Sequence, residues 1–416
     1  MKKRILQICL ILLLQIAFWG LTPQSARALS EEQLLYNEAW RIVDQAYLDD
    51  SFNHQNWRAV RQQALEQQLP NRQATYDAIS QMLASLEDPF TRLLQPMQYQ
   101  SLKMSTSGEL TGVGLQIIQN AETGNLEVLA AIEGSPAAQA GLQGADQILA
   151  IDDVATSTLT LDEAADMMRG SAGTLVRLEV QRDDGDHPTQ VIQLSLRRDR
   201  IAINPVFAEL RPQAKGVAIG YIRLRQFNAN ATHEMASAID RLEAQGAKGY
   251  ILDLRNNPGG LLQAGIEIAQ LWLDPAPIVY TLDRQGIRNS FDAQVGALTH
   301  APLVVLINRG SASASEILAG ALQDNGRALL VGEQTYGKGL IQSLFNLSDG
   351  AGLAITIAEY ETPKHHNINK IGIKPDHPVD LKPIRSDQLA GLADSQYLQA
   401  LKLLTEPGVI ASATSP

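Results

Sequence analysis

The chain has 416 residues, which at about 150 residues per domain predicts two or three domains. Hydrophobic residues make up 45% and charged residues 19%, a balance that excludes disordered, collagen-like and coiled-coil classes. A formal charge of -11 argues against a general nucleic-acid binder, and the lone cysteine, Cys9, excludes an intrachain disulfide, a Cys-based zinc site and an iron–sulfur cluster.

Lys2, Lys3 and Arg4 precede a mostly apolar run from Ile5 to Leu21, and Ala26-Arg27-Ala28 offers small residues at the spacing a signal peptidase reads. A signal peptide is therefore predicted over 1–28. The competing reading is a membrane anchor, but the run is at the lower edge of spanning length. Cleavage after Ala28 removes four basic residues and no acidic ones. It leaves 30 basic against 45 acidic residues, a net charge of -15.

Residues 29–105 read as helical. Leu34, Leu35, Ala39, Trp40, Ile42, Val43 and Ala46 recur at helical spacing, as do Tyr76, Ile79, Met82, Leu83 and Leu86. Asp88-Pro89 stops the second run. From 106 to 200 the pattern turns to short strands with two helices. Gly112-Val113-Gly114-Leu115 is a glycine turn entering a strand, and Leu161–Arg169 reads as a helix between the strands Gln147–Asp152 and Leu175–Arg182. From 201 to 385 strands and helices alternate, which predicts an α/β layer. Residues 386–416 hold one helix-like run and a frayed end.

Three loops in the α/β region carry candidate chemistry. Ser311-Ala312-Ser313-Ala314-Ser315-Glu316 follows a strand and opens a helix. Ser313 and Glu316 have the spacing of a capping box, and a helix N-terminus also suits a nucleophile that develops negative charge. By spacing alone Ser311, Ser313 and Ser315 serve equally well. There is no G-x-S-x-G elbow, which counts against an α/β-hydrolase site. Gly332 to Gly339 nearly matches a phosphate-binding loop, but Gly339 replaces the hydroxyl that would hold magnesium, and the residues after it read as strand. The alternatives are a plain turn, or a lysine, Lys338, held between glycines where burial eases loss of its proton. Asp253-Leu254-Arg255-Asn256-Asn257-Pro258-Gly259-Gly260 has turn residues whose N–H groups could line an oxyanion hole. His365-His366 with Asp376 and His377 matches no metal-site spacing, and no metal or cofactor is predicted.

Together these segments resemble the carboxyl-terminal (tail-specific) processing proteases, serine peptidases with a Ser-Lys dyad. The likeness runs from about residue 31 to 385. It is carried by Leu86-Glu87-Asp88-Pro89-Phe90-Thr91, Gly112-Val113-Gly114-Leu115, Ser135-Pro136-Ala137, the 253–260 loop, the run from Ser311 to Asp324, Gly337-Lys338-Gly339 with Gln342, Thr362-Pro363 and Gly372-Ile373-Lys374-Pro375-Asp376. The resemblance implies a multidomain α/β and α+β fold: a helical N-terminal domain, a PDZ domain and an α/β catalytic core. It implies Ser313 as nucleophile, Lys338 as general base, Gln342 as the residue orienting the lysine, and the N–H groups of Gly259 and Ala314 as the oxyanion hole. It implies that Gly112, Val113, Gly114 and Leu115 cradle a substrate's C-terminal carboxylate. The implied partners are protein or peptide substrates with free, apolar C-termini, membrane proteins among them, and no nucleic acid. The implied compartment is the periplasm or thylakoid lumen. Cyanobacterial and chloroplast members, some of which mature the photosystem II reaction-centre precursor, share the organisation. Two positions depart from the family pattern. Its PDZ turn usually reads Gly-Asp, where this chain has Ala145-Asp146 after Gly144, and His365-His366 occupy a segment that often carries glycine. The rival reading is a non-catalytic PDZ adaptor or chaperone on a degenerate protease scaffold, which a serine-reactive probe would separate.

Overall fold

The computed structural model describes residues 29–120, 123–183, 189–212, 218–286, 288–380 and 388–405; the signal peptide predicted over 1–28 lies outside them. The chain forms two compact units. One is built from residues up to Gln95 together with Leu344–Ile355, the other from Pro96–Ser343 with Thr356 onward.

The first unit holds α1 (Glu31–Ala46), α2 (Trp57–Glu66), α3 (Arg72–Ala84) and β1 (Arg92–Leu94). A capping box between Ser30 and Gln33 starts α1, and Asn56 and Asn71 cap α2 and α3. Leu35, Tyr36, Ala39, Trp40 and Val43 form the buried face of α1. Trp40 stacks on Trp57, which stacks on Phe52. β1 pairs antiparallel with residues 352–354, and the Tyr76 hydroxyl donates to Asp349 at 2.6 Å.

The second unit begins with α4 (Pro96–Ser107) and β2 (Glu109–Gly112), then β3 (Leu115–Gln119), β4 (Leu126–Ala131), α5 (Pro136–Gln139), β5 (Gln147–Ile151), β6 (Val154–Ala155), α6 (Leu161–Met168), β7 (Leu175–Arg182), β8 (Gln190–Arg197) and β9 (Asp199–Ala202). The sheet order is β3-β4-β5-β7-β8, with β6 on β5, so β3 is an edge strand. Strict alternation in β7 turns Val176, Leu178 and Val180 into a core shared with Leu126, Val128 and Ile148. At the turn where the family favours glycine, Ala145 has φ 71°. Asp146 after it is buried and clasps Arg182 at 2.6 Å through both carboxylate oxygens. β2 and β9 pair antiparallel, Glu109 opposite Ala202 and Gly112 opposite Asp199.

Next come β10 (Val206–Pro212), β11 (Ala218–Leu224), α7 (Ala231–Ala244), β12 (Gly249–Asp253), α8 (Leu262–Gln270), β13 (Ala276–Asp283), β14 (Arg288–Ala293), β15 (Leu303–Ile307), α9 (Ala314–Asp324), β16 (Ala328–Gly332), β17 (Leu340–Asn346), β18 (Gly352–Glu361), β19 (His377–Pro378) and α10 (Ser395–Thr405). A six-stranded sheet has the order β10-β11-β12-β15-β16-β19; only β10 is antiparallel to its neighbour. Its central strands are near-continuous apolar runs because both faces are covered. Leu252, Val305, Ile307 and Leu330 pack against α7, α8 and α9, while Ile251, Val304, Leu306 and Val331 pack against Tyr397, Ala400, Leu403 and Leu404 of α10. β18 pairs with β13 and β17 in a separate sheet. Loops at the carboxyl ends of adjacent parallel strands converge, where α/β sheets place their ligands. In this chain they are the loops after β12, β15 and β16.

Candidate active site

All three candidate loops follow those strand ends, and their polar backbone groups meet. Asn257 ties the first loop to the second: its carbonyl accepts from Ala312 N at 3.1 Å and from Ser315 Oγ at 2.9 Å. Asn256 and Asn308 exchange hydrogen bonds across the same gap, both at 2.9 Å. Tyr336 N donates to Ser311 O at 3.0 Å and joins the third loop to the second.

The three serines, indistinguishable by spacing, differ in the fold. Ser311 and Ser315 are fully buried, with hydroxyls committed to backbone carbonyls: Ser311 to Leu254 at 2.8 Å and Ser315 to Asn257 at 2.9 Å. Ser313 is half-buried and has φ 57° and ψ -117°. A non-glycine residue there stores about 1–3 kcal/mol of backbone strain. This is a sharp strand-to-helix elbow without the glycine motif. Ser311 and Ser315 stand where the motif has glycines, so the absent G-x-S-x-G does not mean an absent elbow. Gly259 makes room for the turn. A Cβ there would lie 2.9 Å from both Ser313 Cβ and Ala314 N. The Gly259 N–H donates to Asn257 Oδ1 at 2.9 Å.

Glu316, predicted only as a cap, does more. Its fully buried carboxylate accepts from Thr335 Oγ1 at 2.6 Å, Gly337 N at 2.7 Å, and Ser313 N and Lys338 N, each at 2.9 Å. One side chain thus holds the backbones of Ser313 and Lys338 together. Lys338 is half-buried, and the loop runs on into a strand, β17, as its sequence predicts, not into the helix a phosphate-binding loop requires. Gln342 lies on β17, its Nε2 donating to Thr356 Oγ1 at 3.3 Å.

Behind the first loop sits a buried ionic group. Arg255 makes a two-point contact with Asp253, donates from Nη1 and Nη2 to Asp394 at 2.9 and 2.8 Å, and reaches Gln396 Oε1 at 3.1 Å. Burial works against the Asp394 carboxylate, but the Arg255 guanidinium more than offsets it and holds the pKa below the usual value. Sequence reading missed Asp394 and Gln396, which lie some 140 positions along the chain from Arg255.

The Gly112–Leu115 residues do not join this junction. They line a separate cavity of about 80 Å³ with Ile117, Met168 and Arg169, between the edge strand β3 and α6. Gly114 has φ 80°, and a Cβ there would collide with Ser135 at 2.3 Å. His365 contacts Glu361 at 3.1 Å and stacks on Tyr280. Among the described residues no group of three or more His, Cys, Asp or Glu side chains is arranged to hold a metal, and no helix is long and apolar enough to cross a membrane.

The relatives define the class. A peptidase family S41 model matches residues 218–379, and a PDZ domain model matches 127–182. The chain is 56% identical over 400 residues to a carboxyl-terminal-processing protease of Synechocystis sp., covering 96% of this chain and 93% of that one. It is 45% identical over 372 residues to the chloroplastic carboxyl-terminal-processing peptidase 2 of Arabidopsis thaliana, covering 87% and 70%. A solved photosystem II D1 C-terminal processing protease is similar at 41% identity and a TM-score of 0.57, covering 88% of this chain and 99% of that one. The chain belongs to the carboxyl-terminal-processing proteases of peptidase family S41, serine peptidases that carry a PDZ domain.

Proposed function

We propose that this chain is an exported endopeptidase whose PDZ domain captures the C-terminus of a protein and whose Ser313–Lys338 dyad cuts near that end. The observation that carries the dyad is the Glu316 bridge. One carboxylate oxygen accepts from both Ser313 N and Lys338 N. Neutral Lys338 takes the proton of Ser313 Oγ as the hydroxyl attacks the peptide carbonyl. The N–H groups of Ala314 and Gly259 receive the oxyanion, Gly259 sharing its proton between Asn257 and the substrate. Gln342 orients the lysine, and water hydrolyses the acyl-enzyme. The edge strand β3 offers unpaired backbone to an extended substrate tail, and the adjoining cavity takes its apolar last side chain. The basic and apolar residues of the first 28 positions, and chloroplastic relatives, support a periplasmic or lumenal setting. The similarity to a D1 processing protease makes the photosystem II D1 precursor, a membrane protein, the first substrate to try.

The test is a fluorophosphonate probe combined with a peptide cleavage assay. Ser313→Ala and Lys338→Ala abolish cleavage with the fold intact, and Lys338→Arg is also inactive because a guanidinium stays protonated. Ser311→Ala and Ser315→Ala keep substantial activity and lose about 1 kcal/mol of stability each. Equal loss of activity from all three serine variants would remove the case for Ser313. An unlabelled wild type would favour the adaptor reading.

A further inference from the structure

Tyr360, near the end of β18, is buried, and its hydroxyl faces two main-chain carbonyls, Ser313 O at 3.2 Å and Lys338 O at shorter range. Its own N–H donates to Gly339 O at 3.0 Å. Glu316 meets the same two residues from the other direction, at Ser313 N and Lys338 N. Ser313 and Lys338 are therefore each held at both their N–H and their C=O, by the same two side chains. We propose that Tyr360 is a positioning residue for the reaction, its one hydroxyl proton shared between the carbonyls of Lys338 and Ser313 while Glu316 fixes their N–H groups. This rests on the Ser313–Lys338 reading above.

The consequence for catalysis follows from peptide planarity. In a trans peptide the C=O of one residue and the N–H of the next point in opposite directions. Fixing Ser313 O therefore aims the N–H of Ala314, the oxyanion donor. Fixing Lys338 O fixes the plane through which the lysine stem leaves the loop. Ser313 O already accepts from Glu316 N at 2.7 Å and Ile317 N at 3.0 Å, which belong to the start of α9. Those two bonds orient the carbonyl along the helix; Tyr360 adds the link to the lysine loop. A tyrosine suits the role because burial first, and the nearby Glu316 charge second, push its pKa well above 10. The group stays a donor throughout the working range.

The test uses the full chain with Tyr360→Phe, which keeps the ring and removes only the hydroxyl, beside Ser313→Ala. Steady-state kinetics on a C-terminally free peptide are measured with the rate of fluorophosphonate labelling, both normalised to folded protein. The expected result is a roughly tenfold fall in kcat with KM unchanged, a matching fall in labelling rate and an unaltered substrate preference. A purely structural tyrosine gives wild-type kcat per folded molecule, and that result overturns the proposal. So does a change confined to KM. If Ser313→Ala still cleaves, the dyad reading itself falls and this one with it. If Ser313→Ala is dead and Tyr360→Phe is wild-type, only this inference falls.

Discussion

The junction of loops around Ser313 and the groove beside β3 are built on opposite principles. At the junction the backbones of Gly259, Ser313 and Lys338 are bonded by the buried side chains of Asn257, Glu316 and Tyr360. In the groove the outer edge of β3 has no neighbouring strand among the described residues, and it lies beside a cavity lined largely by apolar groups. The difference teaches where rigidity is needed. In the role proposed for the junction, oxyanion donors work by being fixed before charge develops, so the backbone around them is held by buried side chains. In the role proposed for the groove, a reader of varied tails works by main-chain pairing, so a free strand edge suits it.

The largest effect should come from breaking the junction at its foundation. Asp394→Asn takes one carboxylate from the buried Arg255 group, and removing one partner of a buried pair costs about 3–5 kcal/mol. Urea unfolding measures it, with loss of cleavage following loss of fold. The depressed Asp394 pKa means that this stability is present above the ordinary carboxylate value, about 4, and disappears as the pH falls through the lower folded value. The wild type should therefore lose stability more steeply than the variant below about pH 4. A parallel decline would show that Asp394 is not the linked group.

The groove answers to a smaller perturbation. A peptide with a free apolar C-terminus should be cut faster than its amide, because the amide forfeits charge-assisted hydrogen bonds worth about 1.5–3 kcal/mol, a tenfold to hundredfold ratio. Paired rate measurements decide it. Equal rates would mean that the Gly112–Leu115 loop does not read the carboxylate, whatever the Ser313–Lys338 pair does.

The smallest effect sharpens the comparison within the PDZ domain. Ala145 has φ 71°, a left-handed conformation that costs a non-glycine residue about 1 kcal/mol. Ala145→Gly should raise stability by up to that amount, less the added freedom of the unfolded chain, with cleavage unchanged. A lower melting temperature would show that the methyl packs to advantage.

Much of this was legible in the sequence. The parallel strands showed themselves as unbroken apolar runs such as Leu303–Ile307, and the glycine turn before β3 stood out. The helices α7 and α9 fall where the alternation of strands and helices over 201–385 places them. What stayed hidden depends on distant pairing. β18 is held by residues of β13 nearly 80 positions earlier, and no local pattern announces that. In the site, spacing left three serines equal, since a backbone angle and two inward hydroxyl bonds distinguish them. Glu316 read only as a helix cap because its other partners, Thr335, Gly337 and Lys338, come from a different loop. Tyr360 offered no signal beyond being one aromatic residue in a strand.

The β2–β9 ribbon has a topological meaning. Glu109 and Ala202 face each other in an antiparallel pair, which places their Cα atoms about 5 Å apart, and Ile203 N already donates to Gly108 O at 2.7 Å. The whole segment between them leaves and rejoins the chain at one point, like a graft on a single stem. A two-residue turn could close the wound. The protease core thus owes none of its strand order to the module it carries, and a different recognition module with neighbouring termini could be spliced in at the same stem without redrawing the sheet.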